Sequence, residues 1–497
     1  MSIAGMKGFV ILAGTIALLA ACIGADADPG STDPVEERFS LSFDGNGAEY
    51  GTVPSTSSYT VGESVPIPSA YDIPSPLEKQ NQMTWSWNTQ PDGSGESFAA
   101  GDIITIESGD ITLYAQWEDP IQIASITPAE GTPFSFSALA INSRYLAVIS
   151  DPSFGGYESA GAVAIFELEE DGSWAFHDRI TSPTPVSYQN FGRRLQMTEN
   201  HLVVGAPGSL GSETMPGAVF VYDLTSSSPW TSVQELAAPG GHNEDMFGDA
   251  ISIDGDTLAV GARKMGGQER GVVFVFENTG SNNWTEVERV VCPWSEPEDE
   301  FGFSVAVRGD SLAVGAPYAD WHGERAVGEA HVFRYTEGSW ELEETYLGEE
   351  YSDHFGDSVC LTDTRMVVGA PDSGDSGRVY VYSLGSDGSW ESTPSYTTSL
   401  THSTRYRYTR SFGEYLSSFG NSYIVGSKFD GYSGQWSGSA FFYPNSDWTT
   451  MVHLFHPDLI YQGYFGMAVA ISDTHIVVGA AKTASGERGD AYVYRYR

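Results

Sequence analysis

The sequence predicts an all-β protein, most of it a seven-bladed β-propeller with a small β module ahead of it. Three observations carry the prediction. The first is one short segment spelt repeatedly: LVVGAP at 202–207, LAVGAR at 258–263, LAVGAP at 312–317, MVVGAP at 366–371 and IVVGAA at 476–481. The second is a Phe-Gly pair held in register fourteen residues upstream of the segment's glycine, at Phe191-Gly192, Phe247-Gly248, Phe301-Gly302, Phe355-Gly356, Phe412-Gly413 and Phe465-Gly466. Successive Phe residues are 53 to 57 apart, the period of a repeated supersecondary unit. The third is a mismatch between the ends. The last repeat stops at GDAYVYRYR, its third strand, while IQIASITPAEGTPF at 121–134 precedes the first repeat with no unit of its own.

Read from the N-terminus, residues 1–22 are a sorting signal. Lys7 supplies the positive region, and Gly8 to Ala21 form an apolar run too short and too early for an ordinary membrane span. The run ends in LAAC, which resembles the lipobox of bacterial lipoproteins; that resemblance implies cleavage before Cys22 and acylation of its thiol. Residues 23–37, IGADADPGSTDPVEE, are acidic, small and proline-containing, as expected of a flexible tether. After Cys22 only Cys292 and Cys360 remain, so neither a disulfide framework nor a metal-ligand spacing is expected. No cofactor is implied. The net charge of -42 argues against nucleic acid and against a polybasic grip on anionic lipid, because a phosphate-binding surface needs clustered Lys and Arg.

Residues 38–118 change character. LSFDGNGAEYGTVP, MTWSWNTQPDGSGESFAAGD and ITLYAQWED read as alternating strands around a Gly-rich turn, with a few aromatics for a core. They resemble the internalin B-type (Listeria-Bacteroides) repeat, a small β-grasp-like module of bacterial surface proteins. Phe43-Asp44-Gly45-Asn46-Gly47 matches its opening strand and turn. Trp87-Asn88-Thr89 with Asp92-Gly93-Ser94-Gly95 matches its central hairpin, and Tyr114-Ala115-Gln116-Trp117 its closing strand. Ser86 departs from the glycine usual before the Trp. The resemblance implies a spacer or docking module.

Residues 119–497 hold the repeats. Each reads as four short strands: FGFSVAVRGD turns at Gly-Asp into SLAVGAP, a loop follows, a Gly opens GVVFVF or GRVYVY, and SW or NW opens the fourth. A degenerate copy at 134–152 brings the number to seven. Such a unit cannot bury both faces alone, and radial stacking solves this while leaving few free edges. The strand near 121–126 is expected to pair into the last unit and close the ring. The Gly and Ala of the second strand then leave room where the units converge. These residues resemble FG-GAP repeats, the unit of the integrin α-like propeller, which implies a binding platform.

Integrin-type calcium loops are not expected, because the interval from Phe to Gly leaves no room for a DxDxDG loop and none occurs. Asp254, Asp256, Asp310 and Asp473 read as turn formers, and so do the Arg-Gly-Asp tripeptides at 308–310 and 488–490. No nucleophile-elbow, zincin or P-loop pattern appears, so no catalytic residue and no metal ligand is assigned. Strand alternation places the fourth-to-first and second-to-third connections on one face. There fall Asp245, Asp299 and Asp353, each two residues before its Phe, with the aromatic group Tyr318, Trp321, His322, Phe429, Tyr432 and Trp436, and Trp294 ahead of repeat four. The preferred reading is that the aspartates cap the strand entry and the aromatics cover the rim; the functional alternative is an acidic, aromatic-studded ligand face. An insertion in repeat five brings Arg405, Arg407 and Arg410 together as a private contact. The expectation is a monomeric, lipid-anchored protein of the bacterial cell envelope, a non-enzymatic adhesion platform for a protein or glycan at the cell surface. The alternatives are a structural component of an envelope complex, or a propeller-type carbohydrate-active hydrolase or lyase.

Overall fold

The computed structural model describes residues 38–47, 53–67, 83–99, 102–118, 121–126, 138–150, 156–208, 217–225, 230, 232–266, 269–280, 282–320, 325–399, 411–430, 436–444, 451–456, 462–481 and 489–496. The described residues are all β, arranged as nine separate sheets with no α-helix.

Two of the sheets belong to the N-terminal segment. A five-stranded sheet runs in the order Ser57–Thr60, Arg38–Asp44, Ile111–Glu118, Met83–Asn88 and Ser97–Ala99, and its Arg38–Asp44 and Ile111–Glu118 strands are parallel. Ser64–Pro66 pairs with Ile103–Thr105 in a two-stranded sheet. Leu41, Trp87, Phe98, Ile106 and Leu113 form the core between them. Asn88 fixes the Gly-rich hairpin: its amide donates to the Gly93 and Gly95 carbonyls, and its own carbonyl accepts from the Gln90 and Gly95 N–H groups.

The other seven sheets have four strands each and follow the chain in order. Six are built from a single repeat. The seventh takes Ala468–Ile471, His475–Ala480 and Asp490–Arg495 from the C-terminus and Ile121–Ile126 as its fourth strand, with Ala491 opposite Ile126 and Val493 opposite Ala124. Its bulge at Val493/Tyr494 sits where other repeats have theirs, at Val221/Tyr222, Val275/Phe276 and Val332/Phe333. The first strand of each sheet packs on the first strand of the next, and Ala468–Ile471 packs on Leu139–Ile141 of the first sheet. Ile126, Val477, Ala491 and Val493 accordingly share one core with Leu139, Leu146 and Val148.

The repeated residues are those that set this packing. The second strand, such as Ser311–Ala316, is buried throughout. Its glycine touches the neighbouring repeat: a β-carbon on Gly315 would lie 1.9 Å from the Gly356 carbonyl oxygen, and one on Gly369 would lie 2.0 Å from that of Gly413. Within a repeat, the Phe-Gly glycine donates to the same glycine's carbonyl, Gly302 to Gly315 at 3.1 Å and Gly356 to Gly369 at 3.0 Å. The paired Phe lies against the third strand of its own sheet, Phe247 on Phe274 and Phe355 on Tyr380. The residue before that Phe has a positive φ in six repeats: Asn190, Met246, Glu300, His354, Ser411 and Tyr464. This backbone turn is thus part of the repeat's own geometry and not local strain at a site.

Candidate functional site

The two kinds of long connection meet at one end of the sheets, and there repeats four, five and six enclose a cavity of about 510 Å³. Repeat four contributes Pro317 and Tyr318, which follow its second strand. Repeat five contributes His354 and Asp357 on either side of Phe355-Gly356, together with Pro371 and Asp372. From repeat six come Ser411 and Glu414 flanking Phe412-Gly413, and Lys428, Phe429 and Trp436 from the following loop. A volume of this size suits a small molecule or one or two sugar rings.

Aromatic rings form the walls. Tyr318 meets Phe303 and His354 edge-on at 5.8 and 5.4 Å, and Trp436 meets Phe429 at 6.2 Å. Between them lie ionisable groups. His354 Nδ1 is 2.7 Å from the Asp372 carboxylate, a bond that raises the imidazole above its ordinary range. Lys428 pairs with Glu414 and lies over the Tyr415 and Phe429 rings at 5.5 and 5.0 Å. Burial and the nearby Glu414 carboxylate push the Asp357 carboxyl up to about 7, although His354, Arg194 and Lys428 pull the other way. The cavity therefore gains negative charge across neutral pH.

That shift carries a stability consequence. Folded Asp357 keeps its proton until about pH 7, whereas an unfolded aspartate releases it near 3.8, so folding takes up a proton between those values. The contribution is intact below about pH 4 and is lost as pH rises through 7. Partial exposure to the cavity softens the cost of charging, which we place at about 1–3 kcal/mol. Asp357→Asn is expected to stabilise the protein by that amount at pH 8 and to change little at pH 4. Urea denaturation at the two pH values checks this, and an equal effect at both would contradict the assignment.

A second charged group reaches inward from repeats two to four. Burial alone would raise the Asp249 carboxyl, but Arg194, Arg193 and Arg263 outweigh it and hold it down to about 2. Arg193 and Arg263 contact it at 2.9 and 2.6 Å, and Arg263 continues to Glu300. Arg194 also acts on Asp357 and Tyr415, so side chains of repeats two, five and six share one electrostatic environment.

Of the residues expected on the ligand face, Tyr318, Phe429 and Trp436 line the cavity. The three aspartates do not present their carboxylates there. Asp245, Asp299 and Asp353 are buried, and each accepts the backbone N–H three residues upstream: His242 at 2.5 Å, Glu296 at 2.6 Å and Glu350 at 2.9 Å. They cap the turn that leads into Phe-Gly, because a buried N–H needs a partner. Trp321, His322, Tyr432, Arg405, Arg407, Arg410 and Cys22 lie outside the described residues. In the first Arg-Gly-Asp, Arg308 bridges Asp254 and Asp363 while Asp310 pairs with Arg334 at 3.0 Å, so the tripeptide is tied to its neighbours. His354, Asp357, Asp372, Glu414 and Lys428 were not expected. For Asp357 and Glu414 the signal was positional: just after Phe-Gly, where the frame is constant, the chain places Arg193, Asp249, Phe303, Asp357, Glu414 and Met467.

Comparison with known proteins fits the repeat geometry. The FG-GAP repeat family matches residues 230–276, 284–333, 349–382 and 448–494, four stretches consistent with a β-propeller. Two relatives from Evansella cellulosilytica are similar over part of the chain. A "Putative Gly-rich membrane protein" is 29% identical over 115 residues, 23% of this chain and 12% of the relative. A "Putative membrane protein" is 24% identical over 136 residues, 26% of this chain and 20% of the relative. The chain thus spans a fifth or less of these relatives. Among the described residues no helix is long and apolar enough to cross a membrane. FG-GAP repeats are typically extracellular and point to a protein of surface or adhesion type.

Proposed function

We propose that this chain is a lipid-anchored cell-envelope protein whose seven repeats form one closed seven-bladed propeller, and that the propeller is a non-enzymatic binding platform for a cell-surface glycan or protein. In this reading residues 1–22 are the signal ending at the acylated Cys22, 23–37 the tether, 38–118 an internalin B-type spacer module and 119–497 the propeller. The observation that carries it is the cavity between repeats four and six, where Tyr318, Phe429 and Trp436 surround Asp357, Glu414 and Lys428. Aromatic faces stack on the apolar faces of sugar rings, and the carboxylates and ammonium offer hydrogen bonds to hydroxyls.

A glycan array probed with the chain lacking residues 1–37 tests the platform. Trp436→Ala and Tyr318→Ala are each expected to weaken the ligand so found at least tenfold, about 1.4 kcal/mol, with the melting temperature nearly unchanged. Asp256→Ala, in a short turn on the opposite side, should leave binding intact. Silent cavity variants beside a disabling Asp256→Ala would refute this site. For the anchor, wild-type protein is expected in the detergent phase with membranes and Cys22→Ser in the aqueous phase or unprocessed; equal partitioning would refute lipidation.

One observation favours a second reading. A carboxyl raised to about 7 beside a second carboxylate is the pairing general acid–base chemistry uses on glycosidic bonds. Turnover on a polysaccharide panel that Asp357→Asn abolishes would establish a carbohydrate-active enzyme instead.

A further inference from the structure

Among the six repeats that carry the Phe-Gly pair, one departs from a rule that the other five keep. The third residue after the glycine that opens each third strand is Phe220, Phe274, Tyr380, Phe441 and Tyr492 in repeats two, three, five, six and seven, and it packs on the Phe of that repeat's Phe-Gly pair. In repeat four this residue is His331, still packed on Phe301 at 5.4 Å. Two positions earlier stands Glu329, in a column that holds Ala218 and Val272 in repeats two and three and Arg378, Ser439 and Asp490 in repeats five, six and seven. Nine residues before Phe301 stands Cys292, in a variable column that also holds Ser182, Ala238, Tyr346 and His456. The exchange of an aromatic for His331 thus sets an imidazole beside Glu329 and Cys292 at one place between the third and fourth sheets.

We propose that Cys292, Glu329 and His331 form a binding site for a single divalent transition-metal ion of the zinc class. One donor atom from each lies within 4.8 Å of the other two, and all three residues are buried. The His331 Nε2 and Glu329 carboxylate oxygen are 3.2 Å apart. Two ligands about 2.0–2.1 Å from a tetrahedral zinc stand about 3.3 Å from each other. His331 Nδ1 lies 3.0 Å from the Thr345 hydroxyl. Giving that proton to Thr345 leaves Nε2 with its lone pair toward the site, the outer-shell arrangement typical of zinc-bound imidazole. Thiolate, imidazole and carboxylate together select a borderline-soft cation over calcium or magnesium, which prefer oxygen ligands alone. Binding forms the metal–sulfur bond as the Cys292 thiol proton leaves to solvent, and three protein ligands leave one position for water. Asp299 stays outside the set, since its carboxylate is held by the Glu296 N–H and the Ser295 hydroxyl.

Cobalt(II) is the direct probe. Chelator-treated full-length protein titrated with Co(II) is expected to show a saturable one-to-one thiolate charge-transfer band in the near ultraviolet, which stoichiometric Zn(II) removes. Cys292→Ser should abolish the band and Cys360→Ser, at the other buried free thiol, should retain it. Zn(II) should raise the melting temperature of the wild type by several degrees and that of His331→Phe, which restores the residue used in repeats two, three and six, by none. No saturable band, a band that survives Cys292→Ser, or an equal thermal gain in His331→Phe would overturn the proposal.

Discussion

A chain beginning at residue 134 is expected to aggregate, or to unfold at least about 3 kcal/mol more easily than one beginning at 119. The truncation removes Ile121–Ile126, which pairs with Asp490–Arg495 along its length. It exposes that strand's free edge, a template for pairing with other chains. It also takes Ile126 and Ala124 from the core that joins the last sheet to the first, where Val493, Leu139 and Leu146 would lose their cover. Denaturant unfolding of the two chains checks the effect. Identical midpoints would show that the strand does not hold the last sheet to the first.

Gly315→Ala is expected to cost about 2–4 kcal/mol. The added β-carbon would lie 1.9 Å from the Gly356 carbonyl oxygen and 2.4 Å from the Ser304 hydroxyl, so backbone as well as side chain must move. The oxygen cannot swing aside cheaply, because Ser304 Oγ donates to it at 2.7 Å. Gly309→Ala is the matched control. Gly309 has a φ of +56° but nothing within 4 Å of its β-carbon position, so its replacement should cost only about 1 kcal/mol of backbone strain. Equal losses at the two positions would contradict the close approach of neighbouring sheets.

These expectations rest on features that the sequence displays openly. Second strands such as LAVGAP are uniformly apolar because both faces are covered, and the Phe-Gly register follows from a hydrogen bond between two glycines in repeats two, four, five, six and seven. The fourth strand missing from the last repeat was legible because every other repeat has one; its partner at 121–126 lies in the seventh sheet. Side-chain direction in the long connections was not legible. Asp353 could be read as a cap of the strand entry or as an acid of the ligand face, and its carboxylate takes the capping role, accepting from the Glu349 and Glu350 N–H groups. The reason is that turn chemistry and ligand binding draw on the same residue types. Asp357 and Glu414 were hidden differently, since their meeting depends on how repeats five and six sit side by side, which no single repeat encodes. His331 and Cys292, 39 positions apart in the chain, were hidden for the same reason, although His331 departs from the aromatic of its column.

Hydrogen exchange of the protein with and without its glycan or protein ligand tests the central proposal most directly, because it reads the contact surface without altering a residue. Protection is predicted in the segments that carry Tyr318, His354 to Asp357, Ser411 to Glu414 and Lys428 to Trp436, with the short turns at 254–257, 308–311 and 362–365 exchanging as in the free protein. Protection confined to those short turns, with the cavity segments unchanged, would contradict the account and move the binding surface to the side that carries Arg308-Gly309-Asp310.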